Sequence, residues 1–362
     1  MYRQGSSEGG REAYVEVRGW RGEESLRELF KAYYALDPPL VLPGDIIRRE
    51  FAFQPFGLES YVRHLSFKDE TSLRTYIKSK TPKHAYHSVA IYELPEAPSM
   101  EEKGWLGSDL LFDLDLDHPG LCGSQVIDDH CLVEGFKKAQ FIARVVTKVL
   151  GGRASIYFTG HRGFHVRGKC EECLTLGRDE RREIAKFVRA EGLDLSYLLP
   201  VKVRGGVSPA PPSPEDPGWR GLIAEALGGS PKLRGRDLKE LPVSLGVDID
   251  LMVTEDPTRL TRIPGTLNAK GTLMVTPLCE SFSPGPQLSP FRGELEARAL
   301  KPLEQTKVLG FSIGLAEGEE LSLPASVALY LWSAGLIELE RGEVVVRRNT
   351  GWWPVQGCNW EP

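Results

Sequence analysis

Residues 109–118 read DLLFDLDLDH, and this stretch constrains the chain more than any other. Phe112, Leu114 and Leu116 fall on one side and Asp113, Asp115 and Asp117 on the other, because side chains alternate across a pleated strand. One face is apolar and the other acidic. Neighbouring carboxylates on such a face stand roughly 6.6 Å apart at the backbone, close enough to converge on one or two small cations. Without partners they repel each other, and burying them ionised is costly. Two readings are open here: an edge strand with a solvated acidic face, or one half of a metal site.

A chain of 362 residues can bury a substantial core and is long enough for one large domain or two smaller ones. Lys plus Arg number 45 and Asp plus Glu 50, a net charge of −5. That balance argues against tail-driven nucleic-acid binding but leaves room for a local basic cleft. The chain has no long apolar run, and its start, MYRQGSSEGGREAY, lacks the apolar core of a signal peptide. The expectation is an intracellular, cytoplasmic protein with no membrane segment. In that compartment the six cysteines (122, 131, 170, 173, 279, 358) point to metal binding or burial rather than disulfides, hyperthermophiles excepted.

Helical spacing over 23–36 is followed by two aromatic-rich, strand-like runs, RREFAFQPFG (48–57) and YVRHLSF (61–67), and by a strand over 86–94. After the acidic strand, 132–152 has helical periodicity closed by Gly151 and Gly152. ASIYFTGHRGFHVRG (154–168) reads as two strands folded about Gly160 and Gly163. The strand–helix–strand order predicts a βαβ unit with parallel, adjacent strands. The turn TGHRG then stands beside the carboxylates. Residues 178–200 read as one charged helix, 205–218 as a proline-rich surface loop, 243–254 as a strand, and 325–339 as a helix and a final strand. Residues 171–240 read as a helical and loop insertion between core segments 1–170 and 241–362.

Asp248 or Asp250, in VDIDL, can add a carboxylate from a distant part of the chain to Asp113 and Asp115. Two cations so held can drive nucleotidyl transfer. In TGHRGFH, His161, Arg162 and His165 flank glycines that let backbone N–H groups approach an anion, while arginine grips phosphate as a fork. Arg259, Arg262 and Lys270 straddle the Pro-Gly turn of RLTRIPGTLNAKG. Both signs of charge in close quarters suit a metal and a triphosphate.

FDLDLDH, YFTGHRGFHV and VDIDLMVTEDPTRLTRIPGTLNAKGTL, in this order and preceded by RREFAF with VRHLSF, resemble the archaeo-eukaryotic primase superfamily, specifically the small catalytic subunit of archaeal DNA primase. The resemblance spans about residues 45–278. It implies an α/β (α+β) primase fold, with a mixed central sheet flanked by helices and a helical insertion. It implies Mg²⁺ or Mn²⁺ on Asp113, Asp115 and Asp250. It places the triphosphate against Thr159, His161, Arg162 and His165, with Arg262, Asn268 and Lys270 completing the contacts and Arg49 near the nucleotide. The implied activity is primer synthesis from nucleoside triphosphates on a single-stranded DNA template, beside a large regulatory subunit. A plasmid or repair primase-polymerase shares that site, and a non-catalytic nucleic-acid scaffold is the alternative of another class.

Two positions depart from the pattern. Asn268 stands where archaeal relatives usually have His, and it can donate a hydrogen bond but carries no charge. The zinc knuckle expected after the acidic strand keeps Cys122, His130 and Cys131, with Asp128 where a cysteine would fall. The resemblance leaves zinc, a disulfide or a lost site open there, and CEEC (170–173) is a remote source of further thiolates. Asp117, where the strand leaves the cleft, reads as a cap for that loop.

Overall fold

The structure is a computed structural model. It describes residues 2–7, 10–20, 22–117, 122, 126–198, 201–203, 206–208, 212–226 and 246–348. In chain order the main elements are α1 (Gly22–Ala35), β1 (Phe51–Gln54), β2 (Val62–Leu65), α2 (Glu70–Lys80), β3 (His84–Ser88), β4 (Leu110–Asp115), α3 (Asp129–Arg144), β5 (Arg153–Phe158), β6 (Gly163–Lys169), α4 (Arg178–Val188), α5 (Gly218–Ala226), α6 (Leu251–Glu255), β7 (Leu260–Arg262), β8 (Thr276–Leu278) and α7 (Ala325–Ser333). The fold is mixed α/β.

Two four-stranded antiparallel sheets frame the centre, in the orders β8–β5–β6–β4 and β7–β3–β1–β2. A third sheet draws on both ends of the chain, pairing Gly10–Arg18 with Ile337–Arg347 and that strand with Glu294–Ala299. The acidic strand divides as its alternation requires. Phe112, Leu114 and Leu116 are fully buried, whereas Asp113 is half-buried and Asp115 exposed. Helix α3 covers the apolar face, its Phe136 ring lying 6.3 Å from Phe164 on β6. Burying such aromatic and Leu side chains contributes about 1.5–3 kcal/mol each, which fixes the strand's register and turns its carboxylates outward.

The βαβ expectation holds in direction and fails in adjacency. β4 and β5 run parallel, but β6 lies between them and is antiparallel to both. The tight turn after Phe158 folds β6 straight back onto β5, so its second edge is the one that receives β4.

Other elements also differ from the reading of the sequence. The strand expected over 86–94 breaks at Val89, whose N–H donates to the Arg259 carbonyl, and its halves enter different sheets. The helix expected over 178–200 stops at Val188, because Ala190 (φ +56°) and Gly192 (φ +71°) take the left-handed conformation that ends helices. Within the proline-rich segment, Gly206–Ser208 pairs with Val201–Val203, so part of it is regular after all. Of the strand expected over 243–254, residues 243–245 lie outside the described residues and Leu251–Glu255 is the helix α6. Asp250 caps that helix, its carboxylate accepting the Met252 N–H at 2.9 Å, and this local bond overrides the β preference of the residues that follow.

Candidate active site

The acidic strand and the glycine turn meet as neighbours. Asp113 lies opposite His165 and Asp115 opposite Gly163 in the β4–β6 register. A side chain on Gly163 would run into the Leu114 carbonyl, so glycine is what lets β6 close onto β4 beside Asp115. Within the turn, the N–H and Oγ1 of Thr159 donate to the Gly163 carbonyl at 3.0 and 3.1 Å. Gly160 has φ +77°, and a Cβ there would stand 2.8 Å from the Leu273 carbonyl oxygen.

Asp250 arrives from far along the chain. Its N–H donates 3.1 Å to the carbonyl of Asp113, which puts the start of α6 against the middle of the acidic strand. Helix α4 braces α6 from behind, Arg182 Nε donating to Glu255 at 2.8 Å.

The third component is β7 and the turn after it. The Oγ1 of Thr261 lies 3.0 Å from His165 Nδ1, while His165 Nε2 lies 3.5 Å from Asp113 Oδ1. The Arg262 guanidinium lies 5.0 Å from the Tyr86 ring centre, with Nη1 3.1 Å from His84 Nδ1. Buried Asn268 joins the two turns: its Nδ2 donates to the Thr159 carbonyl at 2.8 Å, and its Oδ1 accepts the Lys270 N–H at 3.0 Å.

Burial and nearby cations hold the imidazoles neutral. His165 is pushed down to about 3 by burial and then by Arg262. His161 is pushed down to about 4 by burial and then by Arg162, with Lys270 and Arg262 adding to it. His84 is pushed down to about 2, again by burial first and Arg262 next. The positive charge of this cluster therefore rests on Arg162, Arg262 and Lys270, and the histidines act as neutral hydrogen-bonding groups.

The structure thus brings together Asp113, Asp115, Asp250, His161, Arg162, His165, Arg262 and Lys270. Thr159 and Asn268 spend their polar groups on the scaffold of the two turns. Arg49 is placed elsewhere: its Nε lies 2.9 Å from Asp45, its Nη2 3.0 Å from Asp109, and its Nη1 donates to the Val89 carbonyl at 2.6 Å. It borders a separate cavity of about 550 Å³ with Lys169 and Cys170, at the far end of β6. The cavity beside Asp113 and His165, about 230 Å³, is lined instead by Arg63, Asp256 and Arg259. Arg63 was missed. The one signal for it was that VRHLSF follows REFAF as a second strand-like run, and only the folded hairpin, with its irregular β1–β2 register, shows that Arg63 faces the cavity.

Three carboxylates are oxygen donors of the kind Mg²⁺ and Mn²⁺ take. Among the described residues no three His, Cys, Asp or Glu side chains are drawn into a ready cage. A site that one or two carboxylates begin and that waters and substrate phosphates complete is the usual arrangement for Mg²⁺. The zinc expectation fits less well. Cys122 and Cys131 are joined in a disulfide, as are Cys170 and Cys173, against the reading that these cysteines stay reduced. Asp128 caps α3, accepting the Cys131 N–H at 2.8 Å, so neither it nor a free thiolate is presented to a metal. His130 is exposed in the first turn of α3. Of the loop that Asp117 was expected to cap, residues 118–121 and 123–125 lie outside the described residues.

Among the described residues no helix is long and apolar enough to cross a membrane. The family described as DNA primase small subunit matches residues 112–279. The DNA primase small subunit PriS of Aeropyrum pernix is 48% identical over 343 residues, 92% of this chain and 99% of that protein. PriS of Sulfurisphaera tokodaii is 38% identical over 74% of this chain and 82% of its own, and PriS of Saccharolobus solfataricus 35% over 88% and 97%. Among solved structures, the polymerase domain of Mycobacterium tuberculosis ligase D in complex with DNA covers 71% of this chain and 80% of its own, at TM-score 0.39 and 10% identity, too distant to bear on the site. The match to PriS runs through both acidic segments and the glycine turn, over nearly the whole of both proteins, and the chain belongs to the DNA primase small-subunit family.

Proposed function

We propose that the chain is the catalytic subunit of a replicative DNA primase, joining nucleoside triphosphates on a single-stranded DNA template and releasing pyrophosphate. The observation that supports this reading is the 3.1 Å hydrogen bond from the Asp250 N–H to the Asp113 carbonyl, which ties the remote segment carrying Asp250 to the acidic strand, with Arg162, Arg262 and Lys270 close to the histidines of the adjoining turn. Asp113, Asp115 and Asp250 would hold Mg²⁺ or Mn²⁺. Bound there, the metal supplies Lewis acidity to the attacking hydroxyl and the leaving phosphates.

Arg162 and Arg262 offer planar forks to phosphate oxygens, and Lys270 adds a point charge. Together they offset the charge of the triphosphate and align it with the acidic strand. Neutral His165, held by Thr261 on one nitrogen, places its other nitrogen 3.5 Å from the Asp113 carboxylate, on the face where the metal and triphosphate would sit. Asn268 fixes the backbone of Lys270 against the glycine turn. The primer's 3′ oxygen attacks the α-phosphorus, the bond from that phosphorus to the pyrophosphate oxygen breaks, and the hydroxyl proton leaves to solvent. Such a displacement depends on alignment and charge neutralisation more than on a protein base. A large regulatory subunit would be the partner, as the small-subunit name of the relatives suggests.

Primer synthesis from labelled nucleotides on single-stranded template tests the proposal. Asp115→Ala should lose at least about 10²-fold in rate, the order seen when a charge-stabilising group is removed. Activity equal to wild type would remove the metal role, and no wild-type product with the partner present would favour a non-catalytic scaffold.

A further inference from the structure

Asp117 is the third carboxylate of the acidic face, and neither the metal site nor the described loop accounts for it. Its Oδ1 accepts from Arg162 Nη1 at 2.7 Å. Its N–H donates to Asp115 Oδ1 at 3.1 Å. The N–H of Leu116, just before it, donates 2.9 Å to the Arg162 carbonyl, so strand and turn are tied through the backbone as well. One residue thus touches both a carboxylate assigned to metal and the arginine assigned to triphosphate. At His161 the Asp117 carboxylate opposes the effect of Arg162, Lys270 and Arg262.

We infer that Asp117 is a positioning residue for the incoming nucleotide: its carboxylate holds the Arg162 guanidinium along the acidic face, oriented for the triphosphate. The inference rests on the reading that Arg162 binds that triphosphate. A guanidinium carries five N–H donors in a rigid fork, and the ion pair engages it at Nη1. An arginine already held in place loses less side-chain freedom when phosphate arrives, and that saving appears as affinity. The Asp117 side chain is 45% exposed and that of Arg162 26%, so solvent screens the pair and the effect is moderate.

The two roles separate cleanly by mutation. Asp117→Asn keeps the size of the side chain and the N–H to Asp115 but removes the charge that holds Arg162. Titration of the full chain with a fluorescent nucleoside triphosphate and Mg²⁺ should show Asp117→Asn binding about two- to fivefold more weakly. KM should rise with kcat within about threefold, the metal concentration for half-maximal activity should not move, and Asp117→Glu should recover part of the loss. In an Arg162→Ala background the same change should have no further effect, since it acts through Arg162. Unchanged or tighter binding by Asp117→Asn, or an equal loss in both backgrounds, overturns the inference while leaving Arg162 in place. An Arg162→Ala chain that binds nucleotide normally overturns the reading of Arg162 and this inference with it.

Discussion

The guanidinium of Arg49 lies 3.0 Å from Oδ2 of Asp109, and the two side chains are 2% and 3% exposed. Arg167 approaches the same carboxylate at 3.2 Å, so Asp109 anchors two arginines beneath the sheets. Removing one partner of a buried ion pair leaves a stranded charge and costs about 3–5 kcal/mol. Arg49→Met should therefore lower stability by about 3 kcal/mol, the low end of that range, because Arg167 remains. Urea denaturation measures that loss, and nucleotide titration of the folded protein should be unchanged. A tenfold weaker nucleotide at normal stability would return Arg49 to the site.

Two histidines of β3 make stability depend on pH. Burial pushes His87 well below its ordinary value, and burial with Arg262 takes His84 down to about 2. Both are neutral in the folded chain, whereas the unfolded chain protonates them near 6.5. The unfolded state thus binds more protons as pH drops, so this stability is fully present above about pH 6.5 and is lost as pH falls below it toward the folded values. Each such histidine contributes a slope of about 1.4 kcal/mol per pH unit. Denaturation midpoints at pH 7.5 and 5.5 should show the decline, and His87→Gln should flatten it. Equal slopes for wild type and variant would contradict the assignment.

Cys122–Cys131 closes a short loop at the start of α3, with Cys131 in its first turn. Closing a loop of this length stabilises by about 2–3 kcal/mol in the chain-entropy view. Full reduction should lower the melting temperature by several degrees, and alkylation without reductant should leave Cys122 and Cys131 unmodified. Metal analysis of protein purified without chelator should read zinc well below one per chain. A full equivalent of zinc, lost together with the fold on chelation, would mean that these sulfurs bind metal.

Gly160 combines φ +77° with a neighbour where a Cβ would go: 2.8 Å to the Leu273 carbonyl oxygen and 2.9 Å to Asn268 Cβ. Gly160→Ala should destabilise by about 2–4 kcal/mol, summing a left-handed residue and the displaced turn. Nucleotide KM should rise with it, because Asn268 fixes Lys270 to this same turn. Gly57, also left-handed (φ +78°) but with open space around it, should tolerate alanine at about 1 kcal/mol. A Gly160→Ala chain as stable as Gly57→Ala would refute the crowding argument.

The parts of the site legible in the sequence were those that period and local chemistry impose. Alternation along 109–118 can only put Phe112 and Leu114 opposite Asp113 and Asp115, and a turn reading TGHRG between two strands must reverse the chain. The N-cap at Asp250 was also written locally, as a carboxylate two residues before the N–H it accepts, yet the β-branched text around it masked a five-residue helix. Whether Cys122 would meet Cys131 or a metal could not be read at all, because thiols at the same spacing serve both.

The sequence by itself determined the acidic face, the glycine turn and the order of the charged segments, since these depend on side-chain period and backbone freedom over a few residues. Tertiary structure decided the rest. It inserted β6 between two parallel strands, brought Asp250 to Asp113, sent Arg49 to a buried pair with Asp109 and left Arg63 to line the cavity. Each outcome depends on which distant strand edge satisfies which backbone groups and which carboxylate offsets which buried cation. Those are contacts between residues far apart in the chain, and no local pattern records them.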